Sequence, residues 1–170
     1  DEFDNGNDNN NSTVELPDTY PDPTEGYSLS AILDSGELRY CSDPTYPPFQ
    51  SYDENGTVVG FDVDISNALA DRLSQHYGVE LEFILVASDW SPIIPNLNAG
   101  GMCDAIISAM TKTDTRELSV DFTRGYYTSS QGVIGATSSA AITDALDLNM
   151  AGTIVAVQSG TTSDLWVQEN

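Results

Sequence analysis

Arg116 is one of only five basic residues in a chain of 170, and it stands just after Thr111-Lys112-Thr113. A guanidinium offers a planar fork of donors that matches a carboxylate bidentately. Among 27 Asp and Glu residues, an ordinary surface ion pair is the competing reading. A second group lies at Gln158-Ser159-Gly160-Thr161-Thr162, which leads into a helical pattern. Backbone N–H groups at a helix start, flanked by hydroxyls, favour an anion such as a carboxylate. A plain Ser/Thr N-cap explains the same residues. Asp43 and Tyr46, with Trp90, offer an acid and aromatic walls to a cationic or polar group. Tyr and Trp are more often core or turn residues, so that assignment stays open as well.

Catalytic groupings are thin. His76 sits beside Gln75 on the polar side of a helical pattern and reads as solvated surface. No Ser-His-Asp, Cys-His or metal-ligand spacing occurs. Asp62-x-Asp64 stands at a helix start, where the dipole favours acids, so calcium is the weaker explanation. Asp53-Glu54-Asn55-Gly56 lacks the later ligands and bidentate Glu of an EF-hand loop. No Gly-rich phosphate loop is present. The expectation is a site that binds, without metal or cofactor.

The elements that must position these residues belong to a strongly acidic chain of net charge −22, with a single lysine, Lys112. A polyanion does not bind nucleic acid or anionic lipid through phosphate neutralisation, which needs clustered Lys and Arg. Acid enrichment with lysine depletion points to a salt-loving source, where repulsion between carboxylates is screened within roughly 3 Å at molar salt. Apolar residues make up 39% and cluster from about Ser28 onward, enough to build a core. No stretch approaches the ~20 apolar residues of a membrane span. Residues 1–28 read as an acidic, solvated tether, beginning without Met or an apolar leader. Asn10, Asn11 and Asn55 each open an N-x-Ser/Thr sequon, a weak signal in Asn-rich sequence. Cys41 and Cys103, at the ends of neighbouring strands, pair in an exported protein or stay as buried thiols.

Residues 38–42 read as a strand, 43–49 (DPTYPPF) as a proline-bound loop and 51–61 as a hairpin turning at Asp53-Glu54-Asn55-Gly56. Residues 62–77 carry Ile65, Leu69, Leu73 and Tyr77 at spacing four, a predicted amphipathic helix stopped by Gly78. Strands are expected at 79–86, 103–110, 131–136 and 153–157. Helical segments are expected at 91–98, 113–118 and 142–150, and a helix opens at the chain's end without a stop signal. Alternating strands and helices argue for α/β architecture with mainly parallel sheets, whose ligands bind beyond the carboxyl ends of the strands. Three polar segments, 42–46, 108–116 and 158–163, fall at such ends.

In order, DPTYPPF, GFDVDISNALA, DW-x-x-IIPNLNAG, CDAIISAMT-x-T-x-x-R, VDFT-x-x-YY and VAVQSGTTS are similar to the polar-amino-acid solute-binding proteins of ABC transporters. The resemblance runs from about Leu38 to Asn170. It implies the two-lobed periplasmic-binding-protein fold, here cut within the second lobe. Lobe one would span 29–128, with the hinge and the start of lobe two at 129–170 and the first crossing near 128–130. Arg116, assisted by Thr111 and the backbone near Thr161, would hold an α-carboxylate. Ser108, with Ala109 beside it, would meet the α-amino group. Tyr46 and Trp90 would stack on the side chain and Asp43 would face its polar or basic end. Thr161 and Thr162 would close from lobe two. Ala109 departs from relatives that carry Ser or Gly there.

The resemblance implies a non-enzymatic, monomeric protein at the extracellular face of the membrane, lipid-anchored through its N-terminus. It would capture a polar or basic amino acid and deliver it to an ABC permease. A sensory ectodomain, or an enzyme that dehydrates prephenate-like acids on the same fold, is the alternative. With roughly half of the cleft lying beyond its residues, the 170-residue chain alone is expected to bind weakly or not at all.

Overall fold

The computed structural model describes residues 27–136, 142 and 144–170. The expected tether falls outside them up to residue 26, and Tyr27 already opens a helix, α1 (Tyr27–Ser35). The sequons at Asn10 and Asn11 also lie outside the described residues.

The central sheet is parallel, as the alternating pattern requires. Strand β1 (Glu37–Ser42) is flanked by β5 (Glu82–Ala87) and β6 (Ala105–Ile106). The β1–β5 ladder runs from Glu37 opposite Glu82 to Ser42 opposite Ala87, and β1 meets β6 at Tyr40–Ala105 and Cys41–Ile106. A small antiparallel sheet of β2 (Thr45–Tyr46), β3 (Gln50–Tyr52) and β4 (Val58–Val59) follows β1. Its hairpin turns at Asp53, whose carboxylate accepts from the Asn55 and Thr57 amides at 2.9 and 2.8 Å. That is an Asx-type turn made by the aspartate itself.

Helix α2 (Phe61–Tyr77) crosses from the small sheet toward β5 and stops at Gly78, whose φ of 68° is left-handed. The face it buries differs from the expected one. Leu69 is 45% exposed, whereas Asp62, Ser66 and Ala70 are buried. Small side chains let the helix approach the sheet closely, and Ser66 Oγ donates to the Tyr40 hydroxyl on β1 at 3.1 Å. Ser74, next on this face, accepts from the Leu81 amide at 2.9 Å and so fixes the turn into β5. Gly60 is required where α2 begins: a Cβ there would lie 2.4 Å from the Phe49 carbonyl oxygen.

Helix α3 (Ile93–Ala99) lies between β5 and β6. Ile93, Cys41 and Cys103 form the buried core cluster, with Val86, Leu97, Ile106 and Met110 packed against it. Cys41 and Cys103 are joined by a disulfide that ties β1 to the segment entering β6. Of the expected strand at 103–110, the structure ladders only Ala105–Ile106.

Helix α4 (Asp114–Glu117) is the expected turn, capped by Thr113. Beyond it the structure departs from the strand pattern. Residues 131–136 and 153–157 form no ladder among the described residues, and Ile134 and Ile154 are almost wholly exposed. β-propensity makes a strand only where a neighbour supplies hydrogen-bond partners, and none of the described residues does so. The expected helix at 142–150 is a short 3₁₀ turn, Ala145–Asn149, closed by a capping box from Asp144 and Asp147. The chain then ends in α5 (Thr162–Glu169).

Candidate functional site

The carboxyl ends of β1 and β6 lie side by side in the parallel sheet, so the residues that follow them converge. The Asp43 amide donates to Ser108 Oγ at 3.0 Å. Gln50 Nε2 reaches the same hydroxyl and the Asp43 carbonyl, each at 3.1 Å. Ser108 is thus a buried hinge pin between two rim loops. Asp43 is only 7% exposed, and one of its carboxylate oxygens accepts from Thr45 Oγ1 at 2.7 Å. This buried acid at a strand end lines a cleft of about 390 Å³. That cleft is lined by Asp43, Thr45, Asp89, Trp90 and, from the chain's last segment, Gln158.

Trp90 joins this cleft to the cationic side of the rim. The Arg116 guanidinium carbon lies 5.2 Å from its ring centroid, a cation–π placement. Arg116 is 8% exposed, which removes the surface ion-pair reading: the salt bridge nearby is between Lys112 and Glu117 instead. Its Nη1 donates to the Thr111 carbonyl and its Nη2 to the Gly160 carbonyl at 2.9 Å. Burial pushes its pKa down, and the group stays charged at neutral pH. Thr111 therefore meets the arginine through its backbone.

The Gln158–Thr162 loop is the N-cap of α5. Thr161 Oγ1 donates to the Gln158 carbonyl at 2.7 Å and accepts from the Asp164 amide at 3.3 Å. Asp164 takes the Gly160 amide at 2.8 Å. Gln131 binds Thr162 Oγ1 at 2.8 Å through Nε2 and accepts from Ser163 Oγ at 2.6 Å. The capping reading accounts for Thr161, and the capped helix start also delivers the Gly160 carbonyl to Arg116.

Asp164 has a testable pH signature. The Gly160 amide and then Gln168 hold its carboxyl below the usual range. A lowered value means the contribution is present above the ordinary aspartate pKa and is lost as pH falls through the lowered one. An NMR titration should show the Gly160 amide shifting with a midpoint below ~3.9, the free-aspartate value. A midpoint at or above that value would contradict the contact.

The remaining expected residues are placed less centrally. Tyr46 is 57% exposed and stacks on Phe49 at 5.4 Å, so its ring supports the loop as well as facing outward. The Ala109 amide points to Asp62 Oδ2 at 2.7 Å and takes no position toward the cleft. Sequence reasoning missed Gln50, Asp62, Tyr126 and Gln131. Asp62 was seen only as a helix-start acid; it is fully buried, and it also accepts from the Tyr126 hydroxyl at 3.0 Å. Burial raises its pKa against the lowering effect of those two bonds. A larger hollow of about 560 Å³ lies on α2 beside Asp71, Arg72 and His76. It is open and formed by one helix face, with no converging segments, so the rim cleft is the better candidate.

The chain is similar in sequence and fold to known proteins. The chain is 35% identical over 146 residues to the lysine/arginine/ornithine-binding periplasmic protein of Escherichia coli K12, covering 86% of this chain and 52% of that one. The crystal structure of an ancestral amino acid-binding protein, a precursor of cyclohexadienyl dehydratase, superposes with a TM-score of 0.74 at 40% identity. That match covers 84% of this chain and 60% of the other. The arginine-bound form of domain 1 from TmArgBP matches with a TM-score of 0.51 at 34% identity, covering 57% of this chain and 71% of that one. The chain spans about half the length of the curated relatives it matches. The family model for bacterial extracellular solute-binding proteins, family 3, matches residues 38–166, and with this α/β fold the chain belongs to that family.

Proposed function

We propose that the protein captures a cationic amino acid outside the cell and delivers it to an ABC permease. One observation carries this: Trp90 is shared by a buried cation, Arg116, and a cleft whose wall holds a buried acid, Asp43. Arginine side chains recognise carboxylates bidentately, and an acid at the far end suits an ammonium or guanidinium. Relatives named for binding lysine, arginine and ornithine support the cationic choice. A single domain 1 with arginine bound supports placing most of the recognition in the first half of the fold. Lobe one at 29–128, a crossing near 128–130, a second lobe from there on, monomeric state and an N-terminal lipid anchor belong to the same proposal. Closure of the lobes on the ligand would be the state the permease reads. His76, the single histidine, packs edge-on to Tyr77 and lines the α2 hollow, away from the rim. That placement favours binding over proton-transfer chemistry in the cleft.

Calorimetry of the complete protein with all twenty amino acids and ornithine tests the proposal. Heat is expected with arginine, lysine or ornithine, and less with the 170-residue chain. Asp43→Asn should weaken the cationic ligands about tenfold or more, on the scale of a lost charge-assisted hydrogen bond, while sparing neutral ones. No heat with any of them, or a preference for acidic ligands that Asp43→Asn leaves unchanged, would sink it.

A further inference from the structure

Ala109 is, among the described residues, the non-glycine residue with positive φ, at 46°. A Cβ makes that conformation costly, so the surroundings must hold it. They do so through two linked side chains, Asp62 and Tyr126. Asp62 Oδ2 accepts from the Ala109 amide at 2.7 Å, and Asp62 Oδ1 accepts from the Tyr126 hydroxyl at 3.0 Å. The Ala109 amide also reaches the Tyr126 oxygen at 3.1 Å, which closes a three-cornered network. Three parts of the chain meet there: the first turn of α2, the rim loop after β6, and the segment that leads toward residues 128–130.

The rim loop matters because of its neighbours. Ser108, directly before Ala109, pins the Asp43 amide. Thr111, two residues after it, accepts from Arg116. The turn at Ala109 therefore sets the spacing between the acidic and cationic sides of the cleft. We infer that Asp62 is a positioning residue for the ligand site, clamping Ala109 in its left-handed turn and tying the rim to Tyr126. Preorganisation of this kind removes an ordering cost from binding.

The start of α2 is held separately. The Phe61 and Asp62 amides donate to the Pro48 and Phe49 carbonyls at 3.0 and 2.9 Å. Asp64, in the same first turn, is exposed and makes the dipole interaction without a rim contact. The carboxylate of Asp62 is thus separable from the helix it begins.

The inference deepens the proposed binding function and rests on it. Its test uses the complete protein with Asp62→Asn, Ala109→Gly, the double variant and Tyr126→Phe. Asp62→Asn should weaken arginine binding about tenfold in calorimetry, the scale of one charge-assisted hydrogen bond. Ala109→Gly alone should stay within about twofold, because glycine adopts positive φ without strain. The double variant should recover much of the loss, which a purely structural role for Asp62 would not produce. Tyr126→Phe, which keeps the carboxylate, should fall between parent and Asp62→Asn. Unchanged affinity in Asp62→Asn, or a double variant no better than Asp62→Asn, overturns the clamp. Should Asp62→Asn fail to fold, unchanged affinity in Tyr126→Phe overturns it. Should the parent bind no amino acid, the function fails, and Ala109 amide exchange without ligand decides the clamp. Slow exchange that Tyr126→Phe accelerates supports it; fast exchange in the parent overturns it.

Discussion

Arg116→Ala should reduce affinity for an α-amino acid by about a hundredfold or more, within the 2–5 kcal/mol range for truncating one partner of a buried charge pair. The size follows from where the side chain sits. Arg116 is 8% exposed, lies over Trp90, and satisfies the Thr111 and Gly160 carbonyls. Truncation removes the cation that would meet the ligand carboxylate and leaves two carbonyls short of a donor. It also unties Gly160 from the rim, so the α5 side of the cleft loosens. Arg116→Lys separates charge from geometry. Lysine keeps the charge but has no planar fork, so affinity should lie between the parent and the alanine variant. Calorimetry on the complete protein, with circular dichroism melts to confirm that both variants fold, checks this. Undiminished binding by a folded Arg116→Ala protein would remove Arg116 from the site.

Replacing both cysteines, Cys41→Ala with Cys103→Ala, should cost about 4 kcal/mol. The bond closes a loop with a sequence separation of 62 residues, and in the chain-entropy account a loop of that size stabilises by about that amount. Both residues are buried in the cluster around Ile93, so lost packing adds to the effect. The thermal midpoint should fall by on the order of 10 °C or more for a chain of this size. The loss should reach the site as well, because Cys41 lies two residues before Asp43 and Cys103 five before Ser108. An unchanged midpoint would mean that the cross-link contributes nothing beyond the parallel ladder.

Much of the architecture from β1 to α4 was legible because its signals are local. A short strand-like run gave β1, alternation exposed β5, Gly78 marked the end of α2, and Asp53-Glu54-Asn55-Gly56 announced the hairpin. The buried face of α2 was misjudged because apolar spacing suggested Ile65, Leu69 and Leu73, whereas close helix–sheet approach selected Ser66 and Ala70. Residues 131–136 and 153–157 look like strands in isolation, but a ladder is a property of two segments.

The site divides in the same way. Arg116 stood out because basic residues are scarce. Gln50 and Asp62 did not, since their partners, Ser108 and Ala109, lie 58 and 47 residues away. The charge count also gains structure. Among the described residues, the buried acids are Asp43 and Asp62, both at the rim, while most of the others stay solvated.

A crystal structure of the complete protein with L-arginine would place both ends of the ligand at once. The ligand carboxylate should lie ~3 Å from the Arg116 guanidinium nitrogens, with the ligand guanidinium at similar distance from Asp43. Arginine bound elsewhere, or bound with Arg116 still contacting only Thr111 and Gly160, would contradict the proposed binding.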